Sequence, residues 1–307
     1  MVLPSLVVKG ICLESGLIVM TLSASIRLTL QETTPSMNFD THDCTAIITG
    51  ASSGLGAEFA RQLAPTARCL VLVARRLEAL ELVKAELLVL KPTLEVHLVV
   101  ADLGNEAGRA VLVEWVRQSA VKPDLLINNA GLGDYGALED ATADKLRMQI
   151  EVNVSAVVLL THALLPVLIS NAPAGIVNVS SLASTLPMPD LAVYAASKAF
   201  VTSFSEGIAI ELEPRGIQVT YVCPGPTPTN FSKTAKRTDG TDTNRDGQGL
   251  LRIPSSQVVA ETLVGLRAGR TCVFPGLGVS LAGPLFRHLP RRVMRWFLRR
   301  RHASGKV

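Results

Sequence analysis

The sequence predicts an α/β protein, a three-layer, doubly wound parallel sheet of about seven strands in a single domain. Three observations carry this reading. Short apolar runs alternate with amphipathic helical stretches between residues 42 and 274. The run Cys69-Leu-Val-Leu-Val-Ala74 is apolar throughout, as suits a parallel strand covered on both faces. Polar, glycine-bearing turns follow several of the strands, at the edge where such sheets bind ligands.

Residues 42–49 read as the first strand, with Ala46-Ile-Ile48 as its buried run. It flows into Thr49-Gly-Ala-Ser-Ser-Gly-Leu-Gly56 and a helical pattern over 57–63 that stops near Pro65. Glycines let backbone approach an anion closely, and a helix N-terminus offers free N–H groups and a positive dipole. A tight turn is the plainer alternative; its place between strand and helix favours a dinucleotide site. Arg75 and Arg76 follow the second strand, where an acidic residue would hold the ribose 2′-OH of NAD. An arginine there suits the 2′-phosphate of NADP, against the alternative of a solvated loop pair.

Residues 77–90 form a helix, with apolar positions 77, 80, 83 and 87, ending before Pro92. Residues 95–100 are the third strand, followed by Asp102-Leu103, and 106–119 are helical. The fourth strand, 125–127, runs into Asn128-Asn-Ala-Gly131. Residues 142–169 read as one long helix bent at Pro166. Asn153 lies in its apolar stretch and needs partners, either as a structural bridge or in a polar relay. The fifth strand, 175–179, ends in Ser180-Ser181.

The next helix, running to about residue 213, opens with Val193-Tyr-Ala-Ala-Ser-Lys198. Tyr194 and Lys198 lie one turn apart on one face. A phenol with its ordinary pKa of about 10 is a poor acid–base group at neutral pH. A neighbouring ammonium lowers that pKa and fits the phenol to exchange a proton with an alcohol or carbonyl oxygen. Residues 216–222 are the sixth strand, ending in the rigid turn Cys223-Pro-Gly-Pro-Thr-Pro-Thr229. Residues 256–268 are helical and 271–274 form a seventh strand.

With 48% hydrophobic and 18% charged residues in 307, the chain can build a sizeable core, which excludes global disorder. The net charge of +4 does not imply nucleic acid, and no nucleic-acid reader motif is present. Cysteines 12, 44, 69, 223 and 272 are scattered, and the histidines show no ligand spacing. No metal is expected, and a reducing, cytoplasmic compartment fits. In the C-terminal stretch Arg287, Arg291, Arg292, Arg295, Arg299, Arg300 and Arg301 interleave with Val293, Trp296, Phe297 and Leu298. Such a helix either lies on an anionic membrane surface or packs on the body with solvated arginines.

Taken together, Thr49-Gly-Ala-Ser-Ser-Gly-Leu-Gly56, Asp102-Leu103, Asn128-Asn-Ala-Gly131, Asn153, Ser181, Tyr194-x-x-x-Lys198 and Pro224-Gly225 resemble the short-chain dehydrogenase/reductase family, in its compact single-domain, NADP-preferring branch. The likeness covers roughly residues 44–230 and implies a Rossmann fold. It implies that Gly50, Gly54 and Gly56 cradle the pyrophosphate, with Ser52, Ser53 and Leu55 in the same loop. Arg75, seconded by Arg76, would meet the 2′-phosphate. Asp102 and Leu103 would lie at the adenine, and Asn129, Ala130 and Gly131 at the neighbouring ribose region. Pro224, Gly225, Thr227 and Thr229 would hold the nicotinamide end.

The resemblance further assigns Tyr194 as general acid in reduction and Lys198 as the group that lowers its pKa and binds the nicotinamide ribose. Ser181 would hydrogen-bond the substrate oxygen, and Asn153 would anchor a water relay. Asn153-Val-Ser-Ala156 replaces the family's Asn-Val-x-Gly, and Thr227 stands where Val or Ile is frequent. The expected function is NADP(H)-dependent interconversion of a small-molecule carbonyl and a secondary alcohol, by a dimer or tetramer. A non-catalytic NADP-binding protein and a membrane-surface reductase of lipid-like ketones (3-oxoacyl or steroid-like) are the alternatives. The expected segments are an N-terminal extension (1–40), poorly ordered, a catalytic domain (41–278) with a mobile substrate loop at 230–250, and a basic helical tail (279–307).

Overall fold

The computed structural model describes residues 39–235 and 251–303. In chain order the first half comprises β1 (Thr45–Thr49), α1 (Gly54–Leu63), β2 (Cys69–Ala74), α2 (Leu77–Leu90), β3 (Glu95–Val100), α3 (Glu106–Gln118), β4 (Leu125–Asn128) and α4 (Ala143–Ile150). The rest comprises α5 (Ala156–Ser170), β5 (Ala174–Val179), α6 (Ala192–Leu212), β6 (Ile217–Val222), α7 (Asn230–Ala235), α8 (Ser255–Arg267), β7 (Cys272–Val273), α9 (Leu277–His288) and α10 (Arg291–Ala303).

All seven strands pair in parallel, in the order β3-β2-β1-β4-β5-β6-β7. The order reverses between β1 and β4, the switch point beyond whose carboxyl ends sheets of this kind bind ligands. Because successive strand residues point to opposite faces, the apolar runs divide into two cores. Ile48, Leu70, Leu72, Leu125 and Ile127 pack under α1, α2 and α8, with Phe59, Leu63, Leu87 and Val258. Ile47, Val71, Val73, Leu126 and Ile176 pack on the other face, with Leu112, Leu160, Leu164 and Leu168 of α3 and α5.

The structure departs from the sequence reading in four places. Phe39 is buried and packs where a Cβ on Gly175 would stand, so the folded body includes residues assigned to the extension; residues 1–38 lie outside the described residues. The long helix is irregular at a π-turn, Glu151–Ser155, rather than only at Pro166, which sits inside α5. Within the loop expected at 230–250, the first six residues form α7, and 236–250 lie outside the described residues. The tail is two helices, α9 and α10, separated at Pro290, which cannot continue a helix.

The helical run Ala143–Ser170 is long and apolar enough to cross a bilayer. Here it is a core element, with Val152, Asn153, Ala156, Leu160, Leu164 and Leu168 buried.

Candidate active site

The glycine turn is shaped by contacts that leave no room for side chains. Gly50 and Gly54 hold positive φ of 64° and 59°, which favours glycine. A Cβ on Gly56 would stand 2.5 Å from Nδ2 of Asn129 and would also meet the carbonyl of Gly50. Ser53, the N-cap residue of α1, makes no side-chain cap hydrogen bond, so the helix keeps amides for an anion. Thr229 closes the far side, 3.3 Å from where a Gly54 Cβ would be. A close-walled turn under an uncapped helix end fits a pyrophosphate.

Asn129, expected at the ribose region, also braces the glycine turn. Its Nδ2 donates to the carbonyls of Thr49 (2.9 Å) and Gly50 (3.3 Å). Its backbone N–H and that of Ala130 donate to Oγ1 of Thr49, at 2.9 and 3.0 Å. Thr49 and Asn129 therefore staple the end of β4 to the glycine turn. The role of Thr49 was visible only as the first letter of the turn motif. The Leu103 side chain is buried in the second core. Oδ1 of Asp102 accepts from the N–H of Gly104, which shapes the turn into α3. Arg75 and Arg76 are exposed at the end of β2, with no ion-pair partner among the described residues. Oγ1 of Thr227 donates to the carbonyl of Gly225, inside its own turn.

The second group sits past β5 and at the start of α6. Ser181 follows β5, and its hydroxyl accepts from the N–H of Ala183 at 3.1 Å and hydrogen-bonds the phenol of Tyr194. Lys198 is buried and places Nζ 5.8 Å from the centroid of the Tyr194 ring. Nζ donates to the carbonyl of Val179 at 2.8 Å. Ser180 fixes the helix above: its Oγ donates to the carbonyl of Lys198. The N–H of Leu182 donates to the carbonyl of Pro224, joining the Ser181 segment to the Pro224-Gly225 turn.

Asn153 lies fully buried in the π-turn, which fits its use there. Its Oδ1 accepts from the N–H of Leu132 at 2.8 Å. Its Nδ2 donates to the carbonyl of Leu132 (2.9 Å) and to Oγ of Ser197 (3.0 Å). Ser197 donates on to the carbonyl of Tyr194 at 2.7 Å. Both amide protons are thus spent on a bridge between the Gly131 loop and the first turn of α6. A Cβ on Gly131 would lie 3.4 Å from Nζ of Lys198 and 3.5 Å from Oδ1 of Asn153, so the two groups face each other across that glycine.

Burial dominates the electrostatics of the pair. Burial pushes the Tyr194 phenol above its ordinary value, and the Ser181 hydrogen bond pulls the other way. Burial also lowers Lys198 to about 8. For both groups burial is the largest influence, and each is pushed toward its neutral form. α7 packs against the phenol: the Phe231 ring lies 5.4 Å from that of Tyr194, and a Cβ on Gly133 would meet Phe231 at 2.7 Å. Phe231 escaped the sequence reading because no spacing rule links a loop aromatic to a tyrosine 37 residues earlier.

A buried polar ladder lies behind the site. Asn128 donates to Oγ1 of Thr161 (3.0 Å) and Oδ1 of Asn178 (2.9 Å), and Asn178 donates to Oγ of Ser205 (2.9 Å). One His/Cys/Glu group also converges, Cys69, Glu95 and His97, with ligand atoms within 4.8 Å. It lies on β2 and β3, where burial pushes the Cys69 thiol up to about 12 and Nε2 of His97 lies 2.6 Å from Oε1 of Glu95.

Fold and glycine turn together define a nucleotide-binding α/β protein, in which Ser181, Tyr194 and Lys198 lie close together. The sequence profile of the short chain dehydrogenases matches residues 44–240, and the chain belongs to that family. It is 39% identical over 201 residues to a sulfoacetaldehyde reductase of Chromohalobacter salexigens, covering 64% of this chain and 77% of that one. It is 36% identical over 198 residues to dehydrogenase/reductase SDR family member 7B of Bos taurus, covering 63% of this chain and 61% of the relative's length. Among solved structures, a short-chain dehydrogenase from Sphingobium yanoikuyae in complex with NADPH superposes with a TM-score of 0.68 at 29% identity, covering 86% of this chain and 96% of that one. The family comprises NAD(P)-dependent oxidoreductases, and these relatives are named as reductases or dehydrogenases.

Proposed function

We propose that the protein is an NADP(H)-dependent oxidoreductase that interconverts a carbonyl and a secondary alcohol. The observation that carries this is the convergence of Ser181, Tyr194 and Lys198, across Gly131 from Asn153. The bound cofactor supplies the hydride. Gly50, Gly54, Gly56, Ser52 and Ser53 would hold its pyrophosphate and Arg75 its 2′-phosphate, while Pro224, Gly225 and Thr229 flank the nicotinamide end.

The chain's own residues handle the proton. Tyr194 donates its phenolic proton to the carbonyl oxygen, and the Ser181 hydroxyl stabilises the charge that develops there. The Lys198 ammonium supports the phenolate left behind, beside the apolar ring of Phe231. Complexes of related chains support both nicotinamides: one is with NADPH and another, from Burkholderia phymatum, is with NAD. The reading for NADP rests on Arg75 and Arg76. Exposed apolar residues on the two long helices, Ile150 and Leu159 on one and Phe200 and Ile210 on the other, support a homo-oligomer.

The test is NADPH oxidation across a panel of ketones. Tyr194→Phe is expected to abolish turnover and leave NADPH binding intact. Turnover within ten-fold of the parent would refute the assignment.

A further inference from the structure

We propose that α9 and α10 dock the protein onto an anionic lipid bilayer. Ten of the chain's 30 lysines and arginines lie in residues 262–307, with none of its 26 acidic residues. The remainder carries 20 basic against 26 acidic side chains, so the charge is strongly polarised along the chain. Arg291, Arg292, Arg295, Arg299 and Arg300 of α10 are all exposed.

Beside this charge stands unusual apolar exposure. Leu277, Leu281 and Leu285 are 79, 68 and 60% exposed, and their spacing of four puts them on one face of α9. Val293 and Trp296 of α10 are 50 and 55% exposed, and the Arg300 guanidinium lies 4.3 Å from the Trp296 ring centroid. The opposite sides of both helices are committed to the body. Val279, Gly283 and Met294 are buried, and Arg287 pairs with Glu206 at 2.8 Å and with the Tyr221 hydroxyl at 3.3 Å. The leucine stripe is therefore the side left over, not a frayed end.

Basic charge alone would suit any polyanion. A row of leucines with an interfacial tryptophan suits an acyl boundary and gives nothing to a nucleic acid. The acidic remainder of the chain would be repelled by the same surface, which fixes orientation. Val279 of α9 also packs against the Pro224-Gly225 turn, 2.8 Å from where a Gly225 Cβ would be. The helix that would touch lipid thus packs on the turn proposed to hold the nicotinamide end, which suits apolar carbonyl compounds dissolved in the bilayer as substrates. That consequence rests on the reductase reading; the docking does not.

The test is flotation of the full chain with phosphatidylcholine vesicles, with and without phosphatidylserine, and in parallel with single-stranded RNA. Wild type is expected to float with the anionic vesicles only and to release at high salt. Arg291→Gln/Arg292→Gln/Arg295→Gln should weaken partition about a hundred-fold. Leu277→Ser/Leu281→Ser/Leu285→Ser should weaken it by at least about ten-fold. Both variants should reduce a water-soluble ketone as the parent does. Failure of wild type to float, flotation unchanged in both variants, preference for RNA, or a changed oligomeric state in the leucine variant without vesicle binding would each overturn the docking. Loss of ketone reduction in the parent would overturn the reductase reading alone.

Discussion

Replacing Gly56 by alanine puts a methyl group at a three-way junction of α1, the glycine turn and Asn129. The new Cβ would sit 2.5 Å from Nδ2 of Asn129 and 2.8 Å from the carbonyl carbon of Gly50, against ordinary contact from 3.4 Å. The junction must open by about 1 Å, and two of its three walls are backbone. Alanine is worth about 1 kcal/mol over glycine inside a helix. Overpacking costs about 1–3 kcal/mol, so a net loss of up to about 2 kcal/mol is expected. That lowers Tm by up to about 8 °C for a domain of this size. The larger effect is on the cradle, because a displacement of about 1 Å can reduce activity about a hundred-fold. We expect kcat/KM for NADPH to fall by about that factor. Gly207→Ala in α6 is the control: nothing lies within 4 Å of its Cβ, so the helix gain stands alone. Tm should then rise by about 2–4 °C with NADPH kinetics unchanged. Thermal melts and NADPH titration of both variants decide the matter. Gly56→Ala binding NADPH within about three-fold of the parent would refute the reasoning.

Three further outcomes follow from the site. Lys198, lowered by burial to about 8, is an ammonium below that pH and neutral above it, while the phenol stays protonated throughout. The reduction rate kcat/KM, measured against NADPH so that it reports the cofactor-free site, should be level on the acid side and fall above about pH 8; a profile level to pH 10 would contradict this. Arg75→Gln should reduce kcat/KM for NADPH about ten- to hundred-fold with little change for NADH, as loss of a hydrogen bond to a charged group implies; equal losses with both cofactors would remove Arg75 from the phosphate. Asn153→Ala removes the acceptor of the part-buried N–H of Leu132 and frees Ser197 from its donor. It should destabilise by about 1–3 kcal/mol in urea melts and lower kcat more than it raises KM for ketone, whereas a full-rate, less stable variant would make the asparagine merely structural.

The strands and helices were legible because their signals are local: apolar runs covered on both faces, and apolar residues three and four apart in α2. The Tyr194–Lys198 pair was legible for the same reason, since one helical turn brings the two together. What spacing cannot carry is a contact closed across the fold. Asn178 sits in an otherwise apolar strand, which shows that it needs partners, but Asn128 and Ser205 lie 50 and 27 residues away. Asn129 stands in the right turn, yet only the pairing of β1 with β4 aims its amide at the glycine turn rather than outward.

The Tyr194 phenol is the sharpest case. A helical spacing of four predicts a cation close by, and the cation is there. Whether it acidifies the phenol depends on how much water both groups lose, and that is set by Phe231, by the π-turn and by the β5 carbonyl that holds Nζ. A charge pair can be read along one helix. The dielectric it works in belongs to three other segments, which no spacing along α6 can report.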